Sequence, residues 1–336
     1  VAVDGVTGTD LMAQLVDLTP DVDDDAPPEF RPEPLPNQIE LTYDAVASRL
    51  MDPLRGVRAL GRSMGSVTRV VRQALGDDDG PSMARPFEAP RTFFNHSLTP
   101  QRSVAFAAAP LDDLKATKSA FGATVNDVFL AACTQALRTY LSDHDEHLDR
   151  PLVVSVPVSV HGEVSDGRAT NQVSNMFVRL PVHVADPVEQ LHAVKADTRD
   201  AKVVHGAIGA DMIGDVTEVT PPAIFNMASR MYSSAGLADR LAPIHNLVIS
   251  NVPGPPFPLY VGGARLRAVY PFGPLVEGSA LNITVLSNMG NMDIGVIGCP
   301  DVAPDIDGLA AGIAEGIEVL RAAAARVTPQ DGPPVP

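Results

Sequence analysis

The segment PLVEGSALNITVLS at residues 274–287 is the most informative part of the sequence about the fold of this chain. From residue 280 onward it is an apolar run with few polar interruptions, which predicts a buried strand over residues 280–287. A second strand is predicted over residues 292–297, and the Ala-, Ile- and Leu-rich residues 304–325 predict a closing helix. The carboxy-terminal part therefore combines strands with a helix, as in an α/β fold.

The alternation of strands and helices continues upstream as far as residue 102. Further strands are predicted over residues 103–108, 152–160, 172–180 and 246–249, and further helices over residues 111–121, 124–141 and 187–204. This pattern predicts a mixed α/β fold with a parallel or mixed sheet covered by helices. No Gly-rich phosphate-binding loop follows a predicted strand, which disfavours a nucleotide-dependent kinase or dehydrogenase.

The length of 336 residues allows about two domains. We expect residues 1–37 to hold the end of a first lobe and an acidic, Pro-rich loop, and residues 38–90 to hold a connecting helix and a linker. The helix is predicted because apolar residues recur at spacings of three and four. Residues 91–328 are expected to form the second lobe, and residues 329–336 a tail.

Composition excludes several kinds of partner and site. The net charge of −16 repels phosphate backbones, so we expect no nucleic-acid partner. Cys133 and Cys299 lie among apolar residues and are predicted to be buried free thiols, which suits a reducing, cytoplasmic location. No spacing among the eight histidines predicts a metal site. No run approaches the ~18 apolar residues that span a bilayer.

Five segments carry a resemblance to a known family. They are VAVDG at residues 1–5, TVNDVFLA at 124–131, SNVPGP at 250–255, PLVEGSALNITVLS at 274–287 and, more weakly, VPVSV at 156–160 with Asn171-Gln172. In this order they resemble the bacterial wax ester synthase/diacylglycerol acyltransferase family. The resemblance covers nearly the whole chain. It implies the fold of CoA-dependent acyltransferases of the chloramphenicol acetyltransferase type, in which a channel separates two α/β lobes.

The same resemblance implies a reaction. The family joins a fatty acyl group from acyl-CoA to diacylglycerol or a long-chain alcohol, which makes triacylglycerol or wax ester. Acyl-CoA would be a substrate, and no cofactor is expected. Because such acceptors dissolve in membranes, contact with a membrane or lipid-inclusion surface is also expected.

The catalytic signature of the family is two histidines, three variable residues and Asp-Gly. Asp4 and Gly5 match its end, so the histidines are expected just before Val1, in the same polypeptide or in a separate amino-terminal chain. The second histidine would be the base that removes the proton of the alcohol. By resemblance, Asp4 would hold the turn behind this histidine, and Gly5 would allow that turn to be tight.

Five further residues are candidates for the site. Asn126, near the start of a predicted helix, would either cap the helix or offer an amide donor to the channel. Ser250 or Asn251 would donate to an oxyanion or to CoA, unless SNVPGP is only a rigid turn. Thr284 and Ser287 are predicted to line a channel on one face of a strand and to contact substrate.

Several alternatives remain open at this stage. His245, next to a predicted strand and near SNVPGP, is a surrogate candidate for the base. A non-catalytic lipid-associated module or an inactive fragment would be compatible with the same fold. A polyketide-associated or peptide-condensing acyltransferase would be compatible with it as well. The Arg-rich helix of residues 38–75 would either contact lipid or brace two lobes.

Overall fold

The computed structural model describes residues 15–21, 37, 82–84, 87–159, 173–208 and 230–327. The predicted helix of residues 38–75 and the tail of residues 329–336 lie outside these ranges. The division of the chain into lobes therefore stays a prediction.

Eight strands are present in the described residues. They are β1 (Ser103–Pro110), β2 (Leu152–Ser159), β3 (Val173–Leu180), β4 (Leu247–Val252), β5 (Tyr260–Val261), β6 (Ala264–Arg265), β7 (Leu281–Asn288) and β8 (Asn291–Gly298). Six of them form one sheet in the order β1-β8-β7-β4-β2-β3, whereas β5 and β6 form a separate hairpin. β4 is parallel to β2 and β7, and the other pairs are antiparallel, so the prediction of a mixed sheet is confirmed.

Four long α-helices lie within the same residues, in addition to a short helical stretch at residues 230–234. The long helices are α1 (Leu111–Phe121), α2 (Val125–Asp143), α3 (Pro187–Ile208) and α4 (Ile306–Ala324). All four were predicted, with bounds that differ by a few residues. α4 begins two residues later than predicted because Asp305 adopts a φ of 55°, outside the helical region. Within the described parts of the chain, no helix combines the length and apolar character needed to cross a membrane.

The helices cover one face of the six-stranded sheet. Val154, Ile249, Ile283 and Val296 belong to four adjacent strands and point to this face, where they pack in one core with residues of all four helices. Side chains alternate along a strand, so the neighbouring residues point to the opposite face. Apolar side chains on alternate positions therefore fix which face the helices cover.

The opposite face is polar at its centre and is crossed by the chain that leads into β7. Val269 donates a backbone hydrogen bond of 2.8 Å to the buried carboxylate of Asp293. A Cβ on Gly295 would lie 2.1 Å from the carbonyl oxygen of Pro271, so only glycine permits the crossing chain to lie this close. The position of the crossing segment on the sheet therefore depends on glycine at position 295 in β8.

The start of β4 is fixed by a buried amide. Asn246 is fully buried, and its Oδ1 accepts from Val153 N at 2.8 Å. Its Nδ2 donates to the Pro90 carbonyl at 2.6 Å and to Asn95 Oδ1 at 2.7 Å. This amide joins the segment before β1 to the amino-terminal end of the parallel strands.

Four strands of the sheet run in the same direction. β2 and β7 are parallel to β4, and β1 and β7 are both antiparallel to β8. Their carboxyl ends therefore lie at one end of the sheet, here called the carboxyl edge, which includes Val252 and Asn288. α1 also starts there, because Leu111 N donates to the Gly290 carbonyl at 2.8 Å in the β7–β8 turn.

The amino-terminal end of α2 lies toward this carboxyl edge. Arg321, in the last turn of α4, pairs with Asp113 in the first turn of α1 at 3.7 Å, so α4 ends near the edge. α2 and α4 are antiparallel: Gly316 lies against Ala132, and Tyr140 near the end of α2 donates to the carbonyl two residues before α4. The start of α2 is therefore near the end of α4.

Candidate active site

The end of β4 presents two polar side chains on opposite faces of the sheet. Ser250 pairs in register with Thr284 and points away from the helices. Asn251 pairs with Val285, a core residue, and so points to the helix face. Both are half-buried. The two predicted donors therefore point to opposite faces of the sheet.

The Ser250 side chain has a polar neighbourhood. Thr284 is 5% exposed, and its hydroxyl donates to Asn282 Oδ1 at 2.7 Å. The hydroxyl proton of Thr284 is thus already used in a hydrogen bond within the protein. The Ser250 hydroxyl has no hydrogen-bond partner among the described residues, so its proton is available to a ligand. The sequence did not single out Asn282, whose effect on Thr284 is seen only in the folded strand.

The expectation that Thr284 and Ser287 share a face is wrong. They are three residues apart on β7, and side chains alternate every residue, so they point to opposite faces. The Ser287 hydroxyl accepts a 3.0 Å hydrogen bond from the backbone of Gly254, within SNVPGP. A Cβ on Gly254 would lie 2.0 Å from the Ser287 carbonyl oxygen. Ser287 thus holds the turn, and its contact with substrate stays a prediction.

The start of α2 leaves the side chain of Asn126 free. Thr124 is the N-cap: its hydroxyl accepts from Asp127 N at 3.1 Å, and Asp127 Oδ2 accepts from Thr124 N at 2.8 Å. Asp127 Oδ1 also accepts from Thr198 of α3 at 2.7 Å, so this aspartate joins the two helices. The alternative of Asn126 as helix cap is wrong. Its half-buried amide has no hydrogen-bond partner within the described residues.

Ser250 and Asn126 both lie toward the carboxyl edge, but the sheet separates them. Asn126 belongs to the helix layer, whereas the Ser250 side chain points to the opposite face of the sheet. An oxyanion accepts hydrogen bonds of roughly 3 Å. Placement on opposite faces of the sheet disfavours contact of both side chains with one oxyanion.

His245 is not placed to replace a base at the carboxyl edge. It lies before β4, at the opposite end of the strand from Ser250, about 16 Å away at about 3.3 Å per residue. Both ring nitrogens are buried without a hydrogen-bond partner, and the ring lies 6.2 Å from that of Phe177. Burial lowers the pKa of His245. Burial of the two ring nitrogens therefore favours the neutral form of this imidazole.

Other predicted residues are placed as follows. Cys133 and Cys299 are buried and unpaired, as expected, and burial raises the pKa of the Cys133 thiol. Asp4 and Gly5 lie outside the described residues, so their roles stay predictions. In the part of the chain that the structure describes, no three His, Cys, Asp or Glu side chains are grouped to hold a metal ion.

Family models match most of the chain. The model of the wax ester synthase/diacylglycerol acyltransferase catalytic domain matches residues 1–129, and that of the family's C-terminal domain matches residues 169–321. The solved wax ester synthase/diacylglycerol acyltransferase from Marinobacter aquaeolei VT8 is 26% identical, with a TM-score of 0.60, over 96% of this chain and 66% of that chain. This likeness confirms the predicted fold class.

Two relatives from Mycobacterium tuberculosis H37Rv, both named for diacylglycerol O-acyltransferase activity, are each 36% identical to this chain over 318 and 328 residues. The matches cover 95% of this chain and 62% and 66% of the relatives, so the chain spans somewhat less than two thirds of their length. On the two family models and these relatives, the chain belongs to the wax ester synthase/diacylglycerol acyltransferase family.

Proposed function

We propose that this chain is part of an acyl-CoA-dependent O-acyltransferase that esterifies diacylglycerol or a long-chain alcohol. The observation that carries the proposal is membership in this acyltransferase family, with matches to both its catalytic and its C-terminal domain. The reaction uses acyl-CoA as a substrate and needs no cofactor. The base is a histidine expected upstream of Val1.

The proposed step is acyl transfer from sulfur to oxygen. The base takes the proton of the acceptor hydroxyl while its oxygen bonds to the thioester carbonyl carbon. The tetrahedral intermediate carries the negative charge on the former carbonyl oxygen. When it collapses, the carbon–sulfur bond breaks, the CoA sulfur receives the proton from the base, and the ester leaves.

Ser250 is the proposed oxyanion donor. Its hydroxyl is uncommitted among the described residues, whereas the hydroxyl of neighbouring Thr284 donates to Asn282. The backbone that carries this hydroxyl is held by pairing with β7, and the turn after it is held by the Gly254–Ser287 hydrogen bond. A preorganised donor needs no rearrangement when charge develops, which is the basis of oxyanion stabilisation.

Asn126 and Asn251 are proposed to contact substrate on the helix side of the carboxyl edge. Both are half-buried, and the amide of Asn126 lies in the first turn of α2, where the helix dipole favours negative groups. These features suit contact with the polar CoA part of the donor. The substrate would then extend around the end of the sheet toward Ser250.

A competition between acceptor classes tests the proposal. The chain, joined at Val1 to the histidine-containing segment of a relative, is given labelled long-chain acyl-CoA with diacylglycerol, a long-chain alcohol and a long-chain amine. We expect label in ester products and release of free CoA thiol in equal amounts. Amide as the main product would assign a condensing activity and contradict the proposal.

We also propose that the enzyme works at a lipid surface, because diacylglycerol and long-chain alcohols dissolve in membranes rather than in water. The predicted Arg-rich helix of residues 38–75, offered as one contact, lies outside the described residues.

A further inference from the structure

β1 forms one outer edge of the six-stranded sheet, because it pairs only with β8. Among the described residues, no other segment makes a backbone hydrogen bond to the outer side of β1. Its sequence, SVAFAAAP, carries no charge. Edges of sheets are usually protected by charged side chains, by bulges or by a covering segment, because bare backbone groups bind other strands. β1 lacks the charges that give such protection.

The alternation of the ladder determines which backbone groups of β1 face outward. Leu111, the residue after β1, donates its N–H to the Gly290 carbonyl on the β8 side at 2.8 Å. Backbone groups of successive residues point to opposite sides of a strand, so the odd-numbered residues of β1 face β8. The even-numbered residues Val104, Phe106 and Ala108 therefore point their N–H groups outward. An arriving strand meets these three donors in a regular row.

The side chains of the same residues form an exposed apolar surface beside the edge. Val104 is 46% exposed and Phe106 is 53% exposed, and both point to the face of the sheet that the helices leave open. The Phe106 ring contacts the rings of Tyr270 and Phe272, with centroids 4.8 and 5.6 Å apart. These ring contacts show that side chains of β1 and of the crossing segment share one surface. A strand that paired with β1 would cover Phe106 at the same time.

A second copy of β1 fits this edge in the antiparallel orientation. In an antiparallel pair, residues that point toward the other strand lie directly opposite each other, so even-numbered residues pair with even-numbered ones. Pairing Phe106 with Phe106 of the partner subunit overlaps the two strands over their length. Val104 then lies opposite Ala108, and Arg102 lies opposite Pro110. A two-fold axis at Phe106 generates this pairing, as in an isologous dimer.

Charges at the two ends of β1 suit the same arrangement. Arg102, just before the strand, is exposed and pairs with no carboxylate within the described residues. Asp112, just after the strand, has a side chain that is 85% exposed and contacts only the exposed Lys115. Antiparallel pairing brings the start of each strand to the end of the other, so Arg102 of each subunit approaches Asp112 of the other. Between these charges the contact is uncharged, although the chain as a whole carries a net charge of −16.

We infer that two copies of this chain form a dimer through antiparallel pairing of β1, with Phe106 at the two-fold axis. The two six-stranded sheets then join into one continuous sheet. Ser250 lies on β4, which β8 and β7 separate from β1, so the contact leaves the candidate active site uncovered. Dimer formation does not require acyl transfer, so either can fail without the other.

The mass of the protein in solution tests this arrangement. Light scattering during gel filtration should give twice the monomer mass, both for the chain alone and for the chain joined at Val1 to the amino-terminal segment of a relative. Phe106→Lys places like charges opposite each other at the axis. It should raise the dissociation constant of the dimer about thirtyfold or more, as for loss of a central aromatic contact.

Val203→Lys is the matched control for this variant. Val203 is 54% exposed on α3, which packs on β3 at the opposite edge of the sheet. The control protein should remain as tightly dimeric as the wild type, because its new charge lies away from β1. Far-ultraviolet circular dichroism checks that both variants keep the fold.

A charge exchange tests the orientation and leaves the apolar surface intact. Arg102→Glu and Asp112→Arg should each weaken the dimer about tenfold, because two symmetric contacts become repulsive. Mixed in equal amounts, the two variants should form a heterodimer about as tight as the wild-type dimer, since every contact again joins opposite charges. A mixture that associates no better than the single variants would contradict antiparallel pairing, even if Phe106→Lys failed to fold.

Three further results would overturn the inference. One is a wild-type protein that stays monomeric at every concentration measured. Another is a dimer of the chain alone that becomes a monomer when the amino-terminal segment is added, because that segment would then cover the edge. The third is a folded Phe106→Lys protein that dimerises as tightly as the wild type.

Discussion

Ser250 lies half-buried at the carboxyl edge, and no described residue accepts its hydroxyl proton. If it donates to the oxyanion, Ser250→Ala in the acyl-transferring protein should lower kcat by about 10²–10³ while the fold is retained. Ser155→Ala is the control, because Ser155 is on the same face but donates to Asn175 Oδ1 at 3.2 Å. Equal kcat for Ser250→Ala and wild type would remove Ser250 from the chemistry.

His245 makes stability depend on pH. Burial lowers its folded pKa below the ordinary 6.5, so the unfolded chain takes up the proton first as pH falls. Stability is therefore present above pH 6.5 and declines below it, down to the folded pKa. We expect His245→Phe to reduce the loss of unfolding free energy between about pH 7.5 and about pH 5.5 in urea titrations. An identical pH dependence in both proteins would show that folding does not change the pKa of His245, which would contradict this prediction.

Among the elements, the first turn of α2 carries Asn126, a residue whose substitution should change activity without lowering thermal stability. Asn126→Asp places a carboxylate at the positive end of the helix dipole, which should preserve or raise the thermal midpoint. It also removes both N–H donors of the amide, so kcat/KM for acyl-CoA should fall about tenfold or more, as for a lost hydrogen bond to a charged group. A more stable protein with unchanged kcat/KM would make Asn126 a bystander.

The segment that crosses the open face of the sheet depends on glycine. Gly295→Ala would place a Cβ 2.1 Å from the Pro271 oxygen, and the crossing chain must move. We expect a loss of roughly 1–3 kcal/mol in unfolding free energy, typical of overpacking. Gly308→Ala is the control: its Cβ meets nothing within 4 Å in α4, so it should stabilise the protein by up to about 1 kcal/mol. A neutral Gly295→Ala would contradict the close approach.

The elements themselves were largely predictable from local pattern. Every strand of the main sheet and the four long helices α1–α4 were anticipated, because apolar periodicity and breaker residues are local signals. The helical residues 230–234 and the 3-10 helix Leu237–Asp239 were not. The β5–β6 hairpin was missed because its strands are two residues long, although Gly262-Gly263 is a visible turn signal. The Thr124–Asp127 capping box was equally visible at its spacing of three, and it would have excluded Asn126 as the cap.

At the scale of the whole molecule, the site was less predictable than the fold. The Ser287–Gly254 and Asn246–Asn95 hydrogen bonds join residues 33 and 151 positions apart, and no local pattern encodes such contacts. The separation of Ser250 from Asn126 by the sheet likewise follows from strand order and register rather than from motif. Motifs thus identified the family, whereas the three-dimensional arrangement decided which candidates can act together.

Acyl transfer to a lipid hydroxyl is the activity proposed for the protein of which this chain is a part. The most direct measurement is transfer of a labelled acyl group from acyl-CoA to diacylglycerol by the chain alone and by the chain extended with the two histidines before Val1. We predict ester formation by the extended protein, and its loss when the second histidine is changed to Ala. Robust ester formation by the 336-residue chain alone, or none by the extended protein, would contradict the account.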